Sequence, residues 1–166
     1  DTVVYTESSM NASELATSSF GQGYNLTMIQ MITAFSSIIN GGYYYEPHVV
    51  SKITNSNGDT VKNIEPRVLK QTISATTSEQ MRQYLHNAVA LGTGKSARPA
   101  GYAIGGKTGT AEMVPRDHTN YVVSFIGFAP ADDPQIAIYC VVDRPNVAKQ
   151  AHATYATGIV KNILTE

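Results

Sequence analysis

Residues 101–112 read GYAIGGKTGTAE, and this stretch supports two incompatible local structures. Gly101 through Thr108 fit the phosphate-binding pattern G-x-x-x-x-G-K-[ST] at every fixed position. In that reading the glycines form a loop, a helix starts at Lys107, and its N-terminal amides face a nucleotide phosphate. In the other reading the stretch is an extended strand presenting one lysine and two threonine hydroxyls. The first calls for a parallel sheet and the second for an antiparallel one, so the choice decides the fold.

The neighbouring residues favour the strand. Gly109 is a poor second residue for a helix, Thr108 and Thr110 prefer extended backbone, and Pro115 ends any helix within two turns. Upstream, Arg98-Pro99-Ala100 does not read as a buried parallel strand. The apolar run 136–143 ends in Asp143, as a magnesium-binding strand would, but any core strand entering a turn can end that way. Gly92-Thr-Gly-Lys95-Ser96 is a second near-match and fails because Val89 stands where the first glycine belongs. As a strand, alternation puts Thr108 and Thr110 on one side. Two hydroxyls and a backbone N–H can then converge on a carboxylate and a carbonyl oxygen. Glycine at 105, 106 and 109 lets another group approach the backbone closely. Lys107-Thr108-Gly109 is also the K-T-G triplet of serine acyl-transfer sites, a weak match alone that gains weight from this context.

The 166 residues suit one domain with a real core, and 42% hydrophobic residues is ordinary for a folded chain. A net charge of −1 gives no electrostatic footprint for nucleic acid or an anionic membrane. No run of about 20 apolar residues is present to span a membrane. The single Cys140 lies in an apolar run and reads as an inert buried thiol. His48, His86, His118 and His152 are too scattered for close-spaced zinc motifs, so no metal or cofactor is expected. The chain opens at Asp1 without a leader-like segment, and a fragment of a longer protein is expected.

Along the chain, Thr27-Met-Ile-Gln30 is a capping box that opens a helix over about 27–40. Met28, Ile29, Ile32, Phe35, Ser36 and Ile39 form its expected core stripe, and Gly41-Gly42 ends it. A surface hairpin is expected from 48–53 through the Asn57-Gly58 turn to 61–64. Thr77-Ser-Glu-Gln80 predicts a second helix over about 78–91, burying Met81, Tyr84, Leu85, Ala88 and Val89. Strands follow at 121–128 and 136–142, then a helix over about 154–164 with Tyr155, Ile159 and Ile163 on one face. The predicted class is α+β, an antiparallel sheet flanked by helices.

Several segments in order resemble the C-terminal half of the transpeptidase domain of class B penicillin-binding proteins. They are Leu15-Ala-Thr-Ser-Ser-Phe-Gly-Gln-Gly23, Leu26-Thr27 with Met31-Ile-Thr-Ala-Phe35, Asn40-Gly-Gly42 with Pro47, and Gly92-Thr-Gly94. Gly105-Gly-Lys-Thr-Gly-Thr-Ala111 and Ser124-Phe-Ile-Gly-Phe-Ala-Pro130 complete the set, which covers nearly the whole chain. The resemblance implies the serine penicillin-recognising fold, shared with β-lactamases, and work on peptidoglycan outside the bacterial cytoplasmic membrane, the parent being anchored by an N-terminal membrane helix. A serine would attack a D-Ala-D-Ala stem peptide, with β-lactam antibiotics as mimics. It gives Lys107 a part in proton transfer and carboxylate attraction, and Thr108 and Thr110 hydrogen bonds to that carboxylate. It also gives the Thr110 N–H half of an oxyanion hole. Gly109 would line the substrate, and Glu112 would sit where it could touch substrate or be a solvated strand residue. Ser18, Ser19 and Gln22 read as structural first and site-lining second.

Two departures limit what this chain does alone. None of its lysines has a serine three residues before it, so the family's S-x-x-K nucleophile is absent from residues 1–166. Ser9-Met-Asn11 has the letters of the second motif, S-x-N, but directly precedes Ser18–Gly23, where the family does not place it. The missing partner is therefore expected to be the N-terminal half of the same domain. A β-lactam-sensing or interaction module of the same fold, a serine β-lactamase and the nucleotide-binding reading are the alternatives. Incubated with a fluorescent penicillin, the isolated chain is expected to take no covalent label; stoichiometric labelling on a denaturing gel would refute this.

Overall fold

The computed structural model describes residues 4–166. In chain order it contains α1 (Ala12–Ser18), α2 (Met28–Ile39), β1 (Tyr43–Tyr45), β2 (Lys52–Thr54), β3 (Thr60–Asn63), β4 (Val68–Gln71) and α3 (Ala75–Ala90). A short 3-10 turn at Lys95–Ala97 leads to β5 (Gly105–Glu112), β6 (Tyr121–Ala129), β7 (Ile136–Asp143) and α4 (Thr154–Ile163). No helix among the described residues is long and apolar enough to cross a membrane.

The central sheet has the order β5-β6-β7 and is antiparallel throughout. Residues 105–112 of GYAIGGKTGTAE are thus a strand. Gly105 to Glu112 pair without a break against Phe128 to Tyr121, and no helix begins at Lys107. That removes the loop-to-helix geometry on which the nucleotide reading depends.

Side chains alternate across β6 and divide the core in two. On one face Phe128 packs with Phe35 and Ile39 of α2, joined by Ile126 and Ala137. On the other Phe125 packs with Ala156 and Val160 of α4, Val89 of α3, Ala97 and Ile104. Glycine makes room for both rings. A Cβ at residue 105 would collide with the Phe128 ring, and one at 106 with the Phe125 ring.

α2 starts where the capping box places it. Gln30 N–H donates to Thr27 Oγ1 (3.3 Å) and Thr27 N–H to Gln30 Oε1 (2.9 Å). It ends at Gly41-Gly42, and residue 42 must be glycine because φ is +96° and a Cβ would run into Ile73 O. Its core stripe is narrower than expected. Phe35, Ser37 and Ile39 are buried, whereas Met28 and Ile29 are exposed.

α3 begins a turn earlier than expected, with Ser74 as the cap accepting from Thr77 N–H at 3.1 Å. Tyr84 faces solvent and Ser78 is buried instead. The Ser78 hydroxyl donates to Ile38 O (2.6 Å) and accepts from Gly41 N–H (2.9 Å), tying α3 to the free C-terminal groups of α2. α4 turns a different face inward from the expected one. Ala156, Thr157 and Val160 are buried, while Ile159 and Ile163 are exposed. Small residues let this helix lie close to the sheet, and Thr157 Oγ1 meets Ser96 Oγ at 2.7 Å. Cys140 is half-buried beside this cluster rather than fully buried as expected, and burial pushes its thiol up.

Two small sheets lie apart. β2 and β3 form the expected hairpin, but of the 48–53 run only Lys52 and Ile53 are strand, which extends to Thr54. β1 pairs with β4, a ladder the sequence did not announce. α1 was likewise unanticipated, although Asn11 and Glu14 form a complete capping box.

Phe125→Ala should cost about 3–5 kcal/mol in urea unfolding, and Ile159→Ala no more than about 0.5 kcal/mol. Equal losses would refute the assigned orientation of α4 and the sheet.

Candidate active site

Residues 107–112 occupy an edge strand, since β6 pairs with one side of β5 only. Two hydrogen bonds show which backbone groups face that open edge. Met113 N–H donates to Asn120 O (2.9 Å), continuing the ladder, so odd-numbered residues point toward β6. Lys107 Nζ donates to Thr108 O (2.8 Å), which the ammonium reaches because Thr108 O points away from β6. By the same alternation, the Thr110 N–H faces the open edge as well.

Above this edge lies a cleft of about 960 Å³. One wall is β5 itself from Lys107 to Glu112, with Val122, Ser124 and Ile126 of β6 and Tyr139 of β7. The opposite wall is the loop between α1 and α2, contributing Phe20, Gly21, Gln22, Tyr24, Asn25 and Leu26, with Met31 behind. Lys107, Thr108, Gly109, Thr110 and Glu112 therefore share one cavity. Gln22 joins them as a lining residue. Ser18 does not line it, and its buried hydroxyl has no hydrogen-bond partner among the described residues.

Side-chain chemistry along the strand is uneven. Thr108 Oγ1 lies 3.1 Å from Thr93 Oγ1 and 3.5 Å from Lys107 Nζ. Thr110 is exposed and free to meet a ligand. Glu112 is already engaged: its Oε1 accepts from His118 N–H (2.7 Å) and lies 3.0 Å from His118 Nδ1. His118 has φ +62°, so the carboxylate clamps a left-handed turn in the β5–β6 loop. Asp117 in the same loop accepts from Thr119 Oγ1 (2.6 Å) and N–H (3.1 Å), and these bonds hold its carboxyl below the usual range. Arg116 reaches the cleft from this loop.

Sequence reasoning found the strand but not the floor beneath it. Gly109 stands opposite Ser124, and a Cβ at 109 would collide with Ser124 Oγ. Tyr139 lies one strand further on, where burial raises its phenol and the Ser124 hydroxyl opposes that shift. Position-two alternation within β6 and β7 was the available signal for these residues.

A family model described as the penicillin binding protein transpeptidase domain matches residues 4–165. The chain belongs to that family. The chain is 45% identical over 157 residues to stage V sporulation protein D of Bacillus subtilis, covering 92% of the chain and 24% of that protein. It is similar in structure to penicillin-binding protein 3 of Mycobacterium tuberculosis, with a TM-score of 0.84 and 28% identity, covering 98% of this chain and 39% of that one. The transpeptidase domain of Burkholderia pseudomallei penicillin-binding protein 3 gives a TM-score of 0.81 at 28% identity, covering 98% and 48%. The segment thus spans about a quarter of the sporulation protein and under half of each solved chain. The penicillin-recognising fold expected from the sequence is the one found.

Gly109→Ala should destabilise the protein by about 1–3 kcal/mol by overpacking the Ser124 hydroxyl. Adding Ser124→Ala should recover most of that loss in a thermal or urea melt, and failure to recover would place the clash elsewhere.

Proposed function

We propose that this chain is the C-terminal portion of a peptidoglycan D,D-transpeptidase domain and supplies the K-T-G wall of its acyl-transfer site. The observation that carries the reading is the open edge of β5. It sets the Thr110 N–H, the Thr108 carbonyl and the Lys107 ammonium along one side of a cleft of about 960 Å³.

An extended peptide can pair with such an edge as an added strand, fixing a scissile carbonyl along its length. A nucleophilic serine from the N-terminal half of the domain would attack the carbonyl of a D-Ala-D-Ala stem. The Thr110 N–H, with the serine's own N–H, would stabilise the negative charge that develops on the carbonyl oxygen. Thr108 and Thr110 hydroxyls would donate to the terminal carboxylate, and Lys107 would attract it and help orient proton transfer. D-Alanine would leave with the transferred proton, and an amine on a neighbouring strand would take the acyl group. A β-lactam presents the same carbonyl and carboxylate and would leave the serine acylated. Glu112 serves this site through the loop it holds. The parent protein would work on the outer face of the bacterial cytoplasmic membrane, anchored through a segment that precedes this chain.

In the transpeptidase that contains this chain, Lys107→Ala should lower acylation by a fluorescent penicillin by at least about a hundredfold, with an unchanged thermal midpoint. Unaltered acylation would remove Lys107 from the site. A parent with wild-type Lys107 that takes no label would refute the transpeptidase reading in favour of a non-catalytic module.

A further inference from the structure

Thr93 does not line the cleft, yet it touches the strand that does. It sits in Gly92-Thr93-Gly94, the turn that follows α3. Leu91 N–H donates to Asn87 O (2.8 Å) and Gly94 N–H to Ala88 O (3.1 Å), so the turn is closed by backbone bonds on both sides. There is no slack around it. A Cβ at Gly92 would lie 2.8 Å from Ala88 O, and one at Gly94 3.0 Å from Val89 Cγ2. Val89 is fully buried, which fixes the turn to the core. From this base Thr93 Oγ1 reaches Thr108 Oγ1 at 3.1 Å, and Thr93 has no other side-chain hydrogen bond among the described residues.

A hydroxyl carries one proton and two acceptor lone pairs. Only one of the two threonine protons can lie between the oxygens. Lys107 Nζ, 3.5 Å from Thr108 Oγ1, is a donor only and leaves the Thr108 proton untouched. A carboxylate is an acceptor only, so Thr108 can hold one solely through its own proton. That proton is free when Thr93 provides the shared one. We infer that Thr93 is a positioning residue that donates to Thr108 and turns the Thr108 proton toward the carboxylate of a substrate or β-lactam. The inference rests on the transpeptidase reading above. Thr93 acts through Thr108 and touches no reacting atom. Accepting a bond from Thr93 also polarises the Thr108 hydroxyl and strengthens the bond it donates.

The test uses the full transpeptidase containing this chain, with a fluorescent penicillin as the free acid and as its methyl ester. Thr93→Val should slow acylation by the acid about five- to tenfold and leave the ester within about twofold of wild type. Thr93→Ser, which keeps the hydroxyl, should restore the acid rate. In a Thr108→Val background, Thr93→Val should have no further effect, because the two residues act as one unit. If the valine variant has a lowered thermal midpoint, Thr93→Ala is read in its place. Equal losses for acid and ester, or no loss for the acid, overturn the inference while the transpeptidase reading stands. A wild-type protein labelled by neither probe overturns that reading, and the inference falls with it.

Discussion

Two phenylalanine rings occupy the space left by two glycines, and the arrangement of the domain follows from that exchange. Phe125 and Phe128 lie on opposite faces of β6, each fully buried. Each overlies a position on β5, Gly106 and Gly105 respectively, where a Cβ would collide with the ring. A slip of one residue would bring Lys107 under a ring and turn every side chain of β5 to the other face. The register that sets Lys107, Thr108 and Thr110 at the cleft is therefore fixed by packing at the start of the strand. The same rings anchor the two helices. Phe128 meets Phe35 of α2 with ring centroids 6.1 Å apart, and Phe125 joins the cluster under α4. Sheet, helices and site share one determinant.

What the sequence revealed tracks how locally each element is encoded. β6 and β7 are long apolar runs, and α2 is opened by a reciprocal side-chain cap and closed by an obligatory glycine, so both were legible. β1 and β4 are three and four residues long and join segments more than twenty residues apart, leaving no periodicity to read. α1 buries none of its residues, so its complete capping box stood without the apolar stripe that would have confirmed it. In α4 the largest side chains misled: Ile159 and Ile163 face out, because close packing on the sheet selects Ala156 and Thr157. The site divides in the same way. Lys107 to Glu112 are contiguous in the sequence, and Gln22 of the opposing loop was read as site-lining second to its structural part, whereas Ser124 and Tyr139 come from separate stretches that only the fold joins to them.

The loop between β5 and β6 illustrates a residue whose position and task differ. Glu112 lines the cleft, as its place in the strand implies, but its carboxylate is committed to the His118 backbone and ring. A charged side chain beside a ligand site can serve by holding a loop in an otherwise unfavourable left-handed turn. Arg116 in the same loop lines the cleft as well.

The bond from Lys107 Nζ to Thr108 O bears on the thermodynamics of occupancy. An unpaired edge invites any passing strand, and here the protein's own ammonium covers one of its carbonyls, that of Thr108. An incoming chain would therefore swap one hydrogen bond for another at Thr108 and draw little net affinity from that contact. It would also free the Lys107 ammonium. A peptide ending in a carboxylate would recover the loss by taking up that cation, and one without a terminal anion would not. Selectivity for chain ends over chain middles would then be written into the resting state of the edge itself.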